Sequence, residues 1–234
     1  MKYKRILLKL SGEILQGSDY NIDPKVCDFI AREVKSVTDA GAQVVVMVGG
    51  GNIFRGRSAE AHGMSRTTGD YIGMLATVMN SLALRSAFEK IGLESRVASA
   101  IDMPKVCESY IRDKAIRHLE KGRVLIAAAG SGHPYFSTDT AAAIRACELD
   151  CNIVFKGTKV DGIYDSDPEK NKNAQKLTEL TYLDILNSDK IEVMDNTATT
   201  LCMDNKLPIY VFELMRPGNI KKVAMGEEIG TLVH

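Results

Sequence analysis

Apolar runs of strand length recur along the chain at residues 6–10, 44–48, 124–129, 152–155 and 209–214. Between them, apolar residues return at helical spacing. The run VVVMV at 44–48 is unbroken and mostly β-branched, the pattern of a strand covered on both faces in a parallel sheet. Ahead of it, Asp23 and Pro24 supply a helix N-cap and first position, and Val26, Ile30, Val34 and Val37 form one stripe until Gly41 stops it. Strand, helix and strand make a βαβ unit whose crossover is expected to be right-handed. A long helix is predicted from Gly69-Asp70 to Gly92, with Leu75, Val78, Met79, Leu82, Phe88 and Ile91 as its apolar positions. Such a helix often covers more than its own core, and a second subunit is a natural partner for the excess. A short strand at 96–100, a helix at 106–121 and further helices from Ser137, at 183–186 and at 195–206 follow. A turn at Pro217-Gly218 and a last strand near Thr231 complete an α/β pattern with no internal repeat or linker.

The chemistry gathers where strands end. Gly49, Gly50 and Gly51 follow the second strand at once, and three residues without Cβ let backbone N–H groups approach a ligand as closely as a phosphate needs. A tight βα turn with no ligand explains the same triplet. Residues 51–58 have P-loop spacing, but Arg57 stands where the point charge of lysine belongs, and no apolar strand ends in a Walker B aspartate. The dinucleotide fingerprint fails as well, because Phe54 occupies the third glycine position. Arg55 lies within reach of whatever the glycines hold.

Two lysines stand at matching places. Lys9 closes the first strand beside Ser11 and Gly12, and Lys156 follows the run at 152–155 beside Gly157. The carboxyl edge of a buried strand is where α/β proteins bind ligands, while a snorkelling lysine is the plain structural reading. The strand at 124–129 also empties into a glycine-bearing loop, GSGHPYFSTD at 130–139. There Ser137, Thr138 and Asp139 crowd a helix start suited to an anion. Asp139 is either an ordinary first-turn acid or a group that orients cations, and Asp70 is either a first-turn acid or an acceptor for ribose hydroxyls. The acids at 161–167 resemble a calcium loop only faintly, since no glycine follows at the sixth position and no glutamate at the twelfth.

Composition narrows this picture. Thirty basic and thirty acidic residues cancel in 234, so no electrostatic footprint for nucleic acid or an anionic membrane shows in the totals. Five scattered cysteines, with no CxxC, read as reduced thiols of a cytosolic protein. The apolar stretch after Lys2, Lys4 and Arg5 is a first strand rather than a signal peptide, and no run approaches the roughly 18 residues that span a bilayer. None of the four histidines falls in a triad or an HExxH pattern.

The motifs KLSGE (9–13), GGGNIFRG (49–56), GDYIGMLATVMN (69–80), GHPYFSTD (132–139) and TKVDGIYDSDP (158–168) together resemble the amino acid kinase family. Within it they resemble the branch that phosphorylates UMP, and the likeness covers nearly the whole chain in order. It implies a single domain over residues 1–234, a three-layer αβα sandwich with a mostly parallel central sheet, and a cytoplasmic homohexamer in pyrimidine biosynthesis. The implied reaction moves the γ-phosphoryl of ATP to UMP, with Mg²⁺ carried by the ATP phosphates and no metal ligand from the protein. The resemblance assigns Lys9, Leu10, Ser11, Gly12, Gly51, Arg55, Thr158, Tyr164 and Asp167 to ATP. It assigns Gly50, Asp70, Ser131, Gly132, His133, Pro134, Tyr135, Phe136, Ser137 and Thr138 to UMP. Lys9, Lys156 and Arg55 are then the catalytic cations and Asp139 the group that holds the lysines. His133, Tyr135 and Ser137 depart from the residues frequent in that segment. GTP and UTP are the implied effectors. Two alternatives stand beside this reading: a relative that phosphorylates acetylglutamate or aspartate, and a nucleotide-binding sensor or storage assembly without catalysis.

Overall fold

Unbroken apolar runs can only be strands if both faces are covered, and that requirement dictates the architecture. In chain order the elements are β1 (Arg5–Leu10), a 3-10 turn (Gly12–Leu15), α1 (Pro24–Thr38), β2 (Gln43–Val48), α2 (Arg66–Lys90), β3 (Ser95–Ser99), β4 (Glu108–Ser109), α3 (Arg112–Glu120), β5 (Val124–Ala128) and α4 (Thr138–Glu148). They continue with β6 (Ile153–Thr158), β7 (Ile163–Tyr164), β8 (Lys176–Leu177), β9 (Glu179–Leu180), α5 (Tyr182–Leu186), α6 (Asn196–Asp204), β10 (Ile209–Glu213), α7 (Asn219–Met225) and β11 (Thr231–Val233). This computed structural model describes residues 1–55, 63–166, 170–171, 173–188, 191 and 193–234.

Among the described residues, nine strands form one sheet in the order β4-β3-β5-β2-β1-β6-β10-β11-β9. Pairing is parallel from β4 through to β10 and reverses where β11 meets β10. Strands β7 and β8 form a separate antiparallel ribbon.

Alternation along β1 sorts its side chains into two cores. Ile6, Leu8 and Leu10 pack with Ile30 and Val34 of α1, Phe88 of α2 and Val223 of α7. Leu7 faces Leu119 of α3, Ala142 and Ala146 of α4 and Cys202 of α6. The result is helices, sheet, helices. Because side chains alternate, Lys9 falls on the same face as Leu7, toward α4. The small residues Ala141, Ala142, Ala143 and Ala146, all fully enclosed, let α4 lie close on β1 and β6.

Three helices differ from the sequence expectation, and strands β7, β8 and β9 are absent from it. Helix α2 starts at Arg66, its N-cap Ser65 accepting from the Thr68 N–H, so Gly69 and Asp70 lie inside its first turns rather than at its start. Leu75 and Met79 are about half exposed and share a face with Tyr71, away from the core that Val78, Leu84 and Phe88 fill. The helix expected at 106–121 begins only at Arg112, because Glu108–Ser109 pairs with β3 and the Tyr110 N–H donates to the Ser99 carbonyl. Edge pairing there outweighs helical propensity. Helix α7, absent from the sequence reading beyond its Pro217-Gly218 turn, follows Gly218 at φ 84°, a left-handed conformation that glycine adopts freely.

Candidate active site

From β1 the chain moves to β2 on one side, and β6 lies on the other, so the sheet order reverses direction between β1 and β6. In open α/β sheets ligands bind beyond the strand ends at such a switch point. Lys9 and Lys156 are register partners across this very pair of strands, and both point to the α4 face. Helix α4 crosses above them. Its Ser137 N-cap accepts from the Thr140 N–H, which starts the helix in time to set Asp139 in the first turn.

Asp139 joins the two lysines. Lys9 is only 8% exposed and its ammonium contacts Asp139 Oδ1, while Lys156 Nζ lies 3.3 Å from Oδ2 and also donates to the Val193 carbonyl. Burial alone raises the Asp139 carboxyl; the charges of Lys9 and then Lys156 more than reverse this and hold it below the ordinary carboxylate value. Among the described residues, two cations share this one carboxylate. That is what an incoming phosphate requires.

The glycine triplet sits beside this cluster. An added Cβ on Gly49 would lie 3.2 Å from Gly12 N and 3.7 Å from Thr138 Oγ1, so three chain segments converge within a few ångströms. Gly12 and Gly50 have no room for a side chain: their Cβ atoms would lie 2.6 Å from the carbonyl oxygens of Gly49 and Gly73 respectively. Gly51 is open by comparison, meeting among the described residues only Glu13, at 3.8 Å. Beyond the triplet, Arg55 is exposed and pairs with Glu13, which ties the first loop to the second.

A cleft of about 600 Å³ opens from these glycines, lined among others by Arg55, Asp70, Tyr135, Ser137, Thr138 and Asp195. Asp70 accepts from the Tyr135 N–H at 2.8 Å and from Arg66 Nε at 3.0 Å, fastening the 131–138 loop to α2. Tyr135 takes φ 72°, and Gly132 takes φ 83° with its Cβ position 3.0 Å from the Ala100 carbonyl oxygen. Ser131 Oγ donates to the His133 carbonyl, and Tyr135 and Phe136 are exposed at the cleft mouth. On the opposite side of the cluster, Thr158 ends β6 and its Oγ1 donates to the Val160 carbonyl at 2.6 Å. Tyr164 on β7 donates to Asp161 at 2.7 Å, a bond that raises its own pKa. Asp167 lies outside the described residues.

Geometry thus brings together Lys9, Lys156, Asp139, the Gly49–Gly51 turn and the 137–138 helix start. It sets Asp70 and the 131–136 loop on the β2–β5 side and Thr158 and Tyr164 on the β6 side. Two groups escaped the sequence reading. Asp195, the N-cap of α6, accepts from Ser137 Oγ and from Thr140 Oγ1 at 2.9 Å and so joins the starts of α6 and α4. Asn80 donates to the Gly49 carbonyl from the middle of α2. In the sequence it is the last residue of the motif at 69–80, with nothing there to mark its bond to Gly49.

The pattern of the amino acid kinase family matches residues 4–213. The UMP kinase from Bacillus anthracis is 39% identical, with a TM-score of 0.96 over 100% of this chain and 97% of that one. The UMP kinase from Ureaplasma parvum is 36% identical, with a TM-score of 0.93 over 100% and 99%. The uridylate kinase from Archaeoglobus fulgidus is 29% identical, with a TM-score of 0.75 over 98% and 99%. The chain belongs to the amino acid kinase family.

Proposed function

We propose that this chain transfers the γ-phosphoryl group of ATP to UMP, giving ADP and UDP. The observation that carries the reading is the register-paired lysines sharing Asp139 at the sheet's switch point, beside glycine amides that open on a cleft. Full-length likeness to UMP kinases at 39% and 36% identity supports the choice of acceptor.

The reaction needs alignment and charge neutralisation more than covalent help from the protein. A UMP phosphate oxygen attacks the γ-phosphorus, the bond from that phosphorus to the oxygen bridging the β-phosphate breaks, and its electron pair leaves on ADP. The attacking oxygen already carries negative charge, so no general base is required. Lys9 and Lys156 flank the transferring group, the glycine amides donate to its oxygens, and Asp139 fixes both ammonium groups. Leu10, Ser11, Gly12, Gly51 and Arg55, with Thr158, Tyr164 and Asp167, take ATP. Gly50, Asp70 and the segment from Ser131 to Thr138 take UMP. Asp139 is committed to two cations, so a Mg²⁺ ion fits on phosphate oxygens and water rather than in a protein cage. When bound there it neutralises charge developing on the phosphates.

The same reading includes a homohexamer of the cytoplasm, serving pyrimidine nucleotide synthesis and responding to GTP and UTP. The exposed Tyr71, Leu75 and Met79, four residues apart on one face of α2, support self-association. No described helix is long and apolar enough to cross a membrane. Purified protein incubated with ATP, Mg²⁺ and, separately, UMP, CMP, acetylglutamate and aspartate is expected to release ADP fastest with UMP. Release with an amino acid acceptor only, or with none of the four, overturns the proposal.

A further inference from the structure

The glycine triplet is gripped from behind by two asparagines. Asn80 is fully enclosed in α2 and Asn52 is 7% exposed. Their side-chain amides exchange hydrogen bonds: Asn52 Nδ2 donates to Asn80 Oδ1 at 3.0 Å, and Asn80 Nδ2 donates to Asn52 Oδ1 at 2.8 Å. Each amide has a second N–H. That of Asn52 reaches the Asn21 carbonyl and that of Asn80 the Gly49 carbonyl, both at 2.7 Å. All four amide N–H groups are thereby used, the condition under which a buried polar pair rigidifies its surroundings.

The bond to Gly49 has a directional consequence. In a trans peptide the carbonyl and the next N–H point to opposite sides. With the Gly49 carbonyl drawn toward α2, the Gly50 N–H is turned away from it. Among the described residues no acceptor takes the Gly50 or the Gly51 N–H, and both residues line the cleft. The pair also touches the first loop, since Asn52 Oδ1 lies 2.6 Å from where a Gly12 Cβ would stand. Two loops with different sequences are thus indexed to one buried amide pair.

We infer that Asn52 and Asn80 are positioning residues for phosphoryl transfer, a buried clasp that sets the Gly49–Gly50 peptide so that its N–H faces the phosphate. The inference rests on the cleft taking nucleotide phosphates as proposed above. Neither side chain touches substrate; the clasp acts through the glycine backbone. Misplacing such a donor by a fraction of an ångström is costly to rate while leaving the fold in place.

The test separates loop position from stability. Replacing one partner strands the other, whereas replacing both by apolar residues of similar volume removes the amide–amide bonds together and leaves only the Asn21 and Gly49 carbonyls without their donors. The double variant Asn52→Leu/Asn80→Leu is compared with wild type by kcat for ADP formation with UMP. The second readout is the Gly50 amide signal of ¹⁵N-glycine-labelled protein on addition of a non-hydrolysable ATP analogue together with UMP. A folded double variant is expected to lose roughly tenfold or more in kcat and to lose the Gly50 response. A kcat near wild type, or a retained Gly50 response, overturns the clasp. If the double variant does not fold, Asn80→Asp takes its place under the same criteria, because it keeps the volume and the acceptor for Asn52 but cannot donate to Gly49. Should wild type itself form no ADP with UMP, the proposed reaction fails, and the clasp is judged on the amide response to nucleotide alone.

Discussion

Replacing Lys9 by alanine removes one of the two charges that Asp139 holds together. Near a protein surface, two unit charges about 4 Å apart interact by roughly 4 kcal/mol. Lys9 is more enclosed than that limit assumes, but Lys156 remains on the other oxygen of Asp139, 3.3 Å away, and keeps part of the positive field. A loss of about 3 kcal/mol of barrier stabilisation, the scale of a single preorganised donor, is therefore the reasonable magnitude. At about 1.4 kcal/mol per decade this is roughly two orders of magnitude in kcat. The fold should persist, because Leu7, Leu8 and Leu10 on the same strand are fully enclosed and untouched. Lys9→Met keeps most of the aliphatic stem and serves as the control for packing, so it should lose turnover to the same extent. The assay is steady-state ADP release at saturating ATP and UMP, alongside a thermal melt. Turnover near wild type in a folded Lys9→Ala or Lys9→Met variant would refute the role given to this ammonium group.

Further expectations concern neighbouring groups. The Asp139 carboxyl is held below its ordinary value of 3.8, so its contribution to stability is complete above that pH and lost as pH falls through the lower folded value. The stability difference between wild type and Asp139→Asn, from urea midpoints, should be flat from about pH 5 to 8 and shrink below about pH 4; growth of the difference in acid would contradict this. Gly50→Ala forces a Cβ to within 2.6 Å of the Gly73 carbonyl oxygen and should cost about 1–3 kcal/mol of stability, whereas Gly51→Ala should stay within about 0.5 kcal/mol. Equal melts for the two variants would show that the crowding is not real. Asp70→Asn should weaken UMP binding roughly tenfold or more by calorimetry, on the scale of a hydrogen bond to a charged group, and leave ATP affinity in place. An unchanged UMP affinity would remove Asp70 from that site.

How far the sequence disclosed this arrangement depends on which force decides each element. Strands β1, β2, β5, β6 and β10 were legible because burial on both faces demands runs of apolar residues. The start of α2 was not, because Ser65 is one small polar residue among many in a polar stretch, and only its bond to the Thr68 N–H marks it as the cap. The strand at Glu108–Ser109 exists through pairing with β3, a partner ten residues away that no local propensity reveals. At the site, Lys9 and Lys156 announced themselves by matching positions at the ends of two apolar runs, although both prove to lie within β1 and β6. Their meeting on one face follows from register, which alternation along both strands then fixes. Asp195 left no such signal: it reads as an ordinary helix cap, and its second task of binding Ser137 and Thr140 exists only once α4 and α6 are packed.

The central claim is that one phosphoryl group passes through the space flanked by Lys9, Lys156 and the glycine turn. A crystal structure of the protein with UMP and a non-hydrolysable ATP analogue tests it most directly. The account predicts the γ-phosphate within hydrogen-bonding distance, about 3 Å, of both lysine Nζ atoms and of a triplet amide, with the UMP phosphate in line on the Asp70 side. A γ-phosphate bound elsewhere, with either lysine turned away from it, would contradict the account.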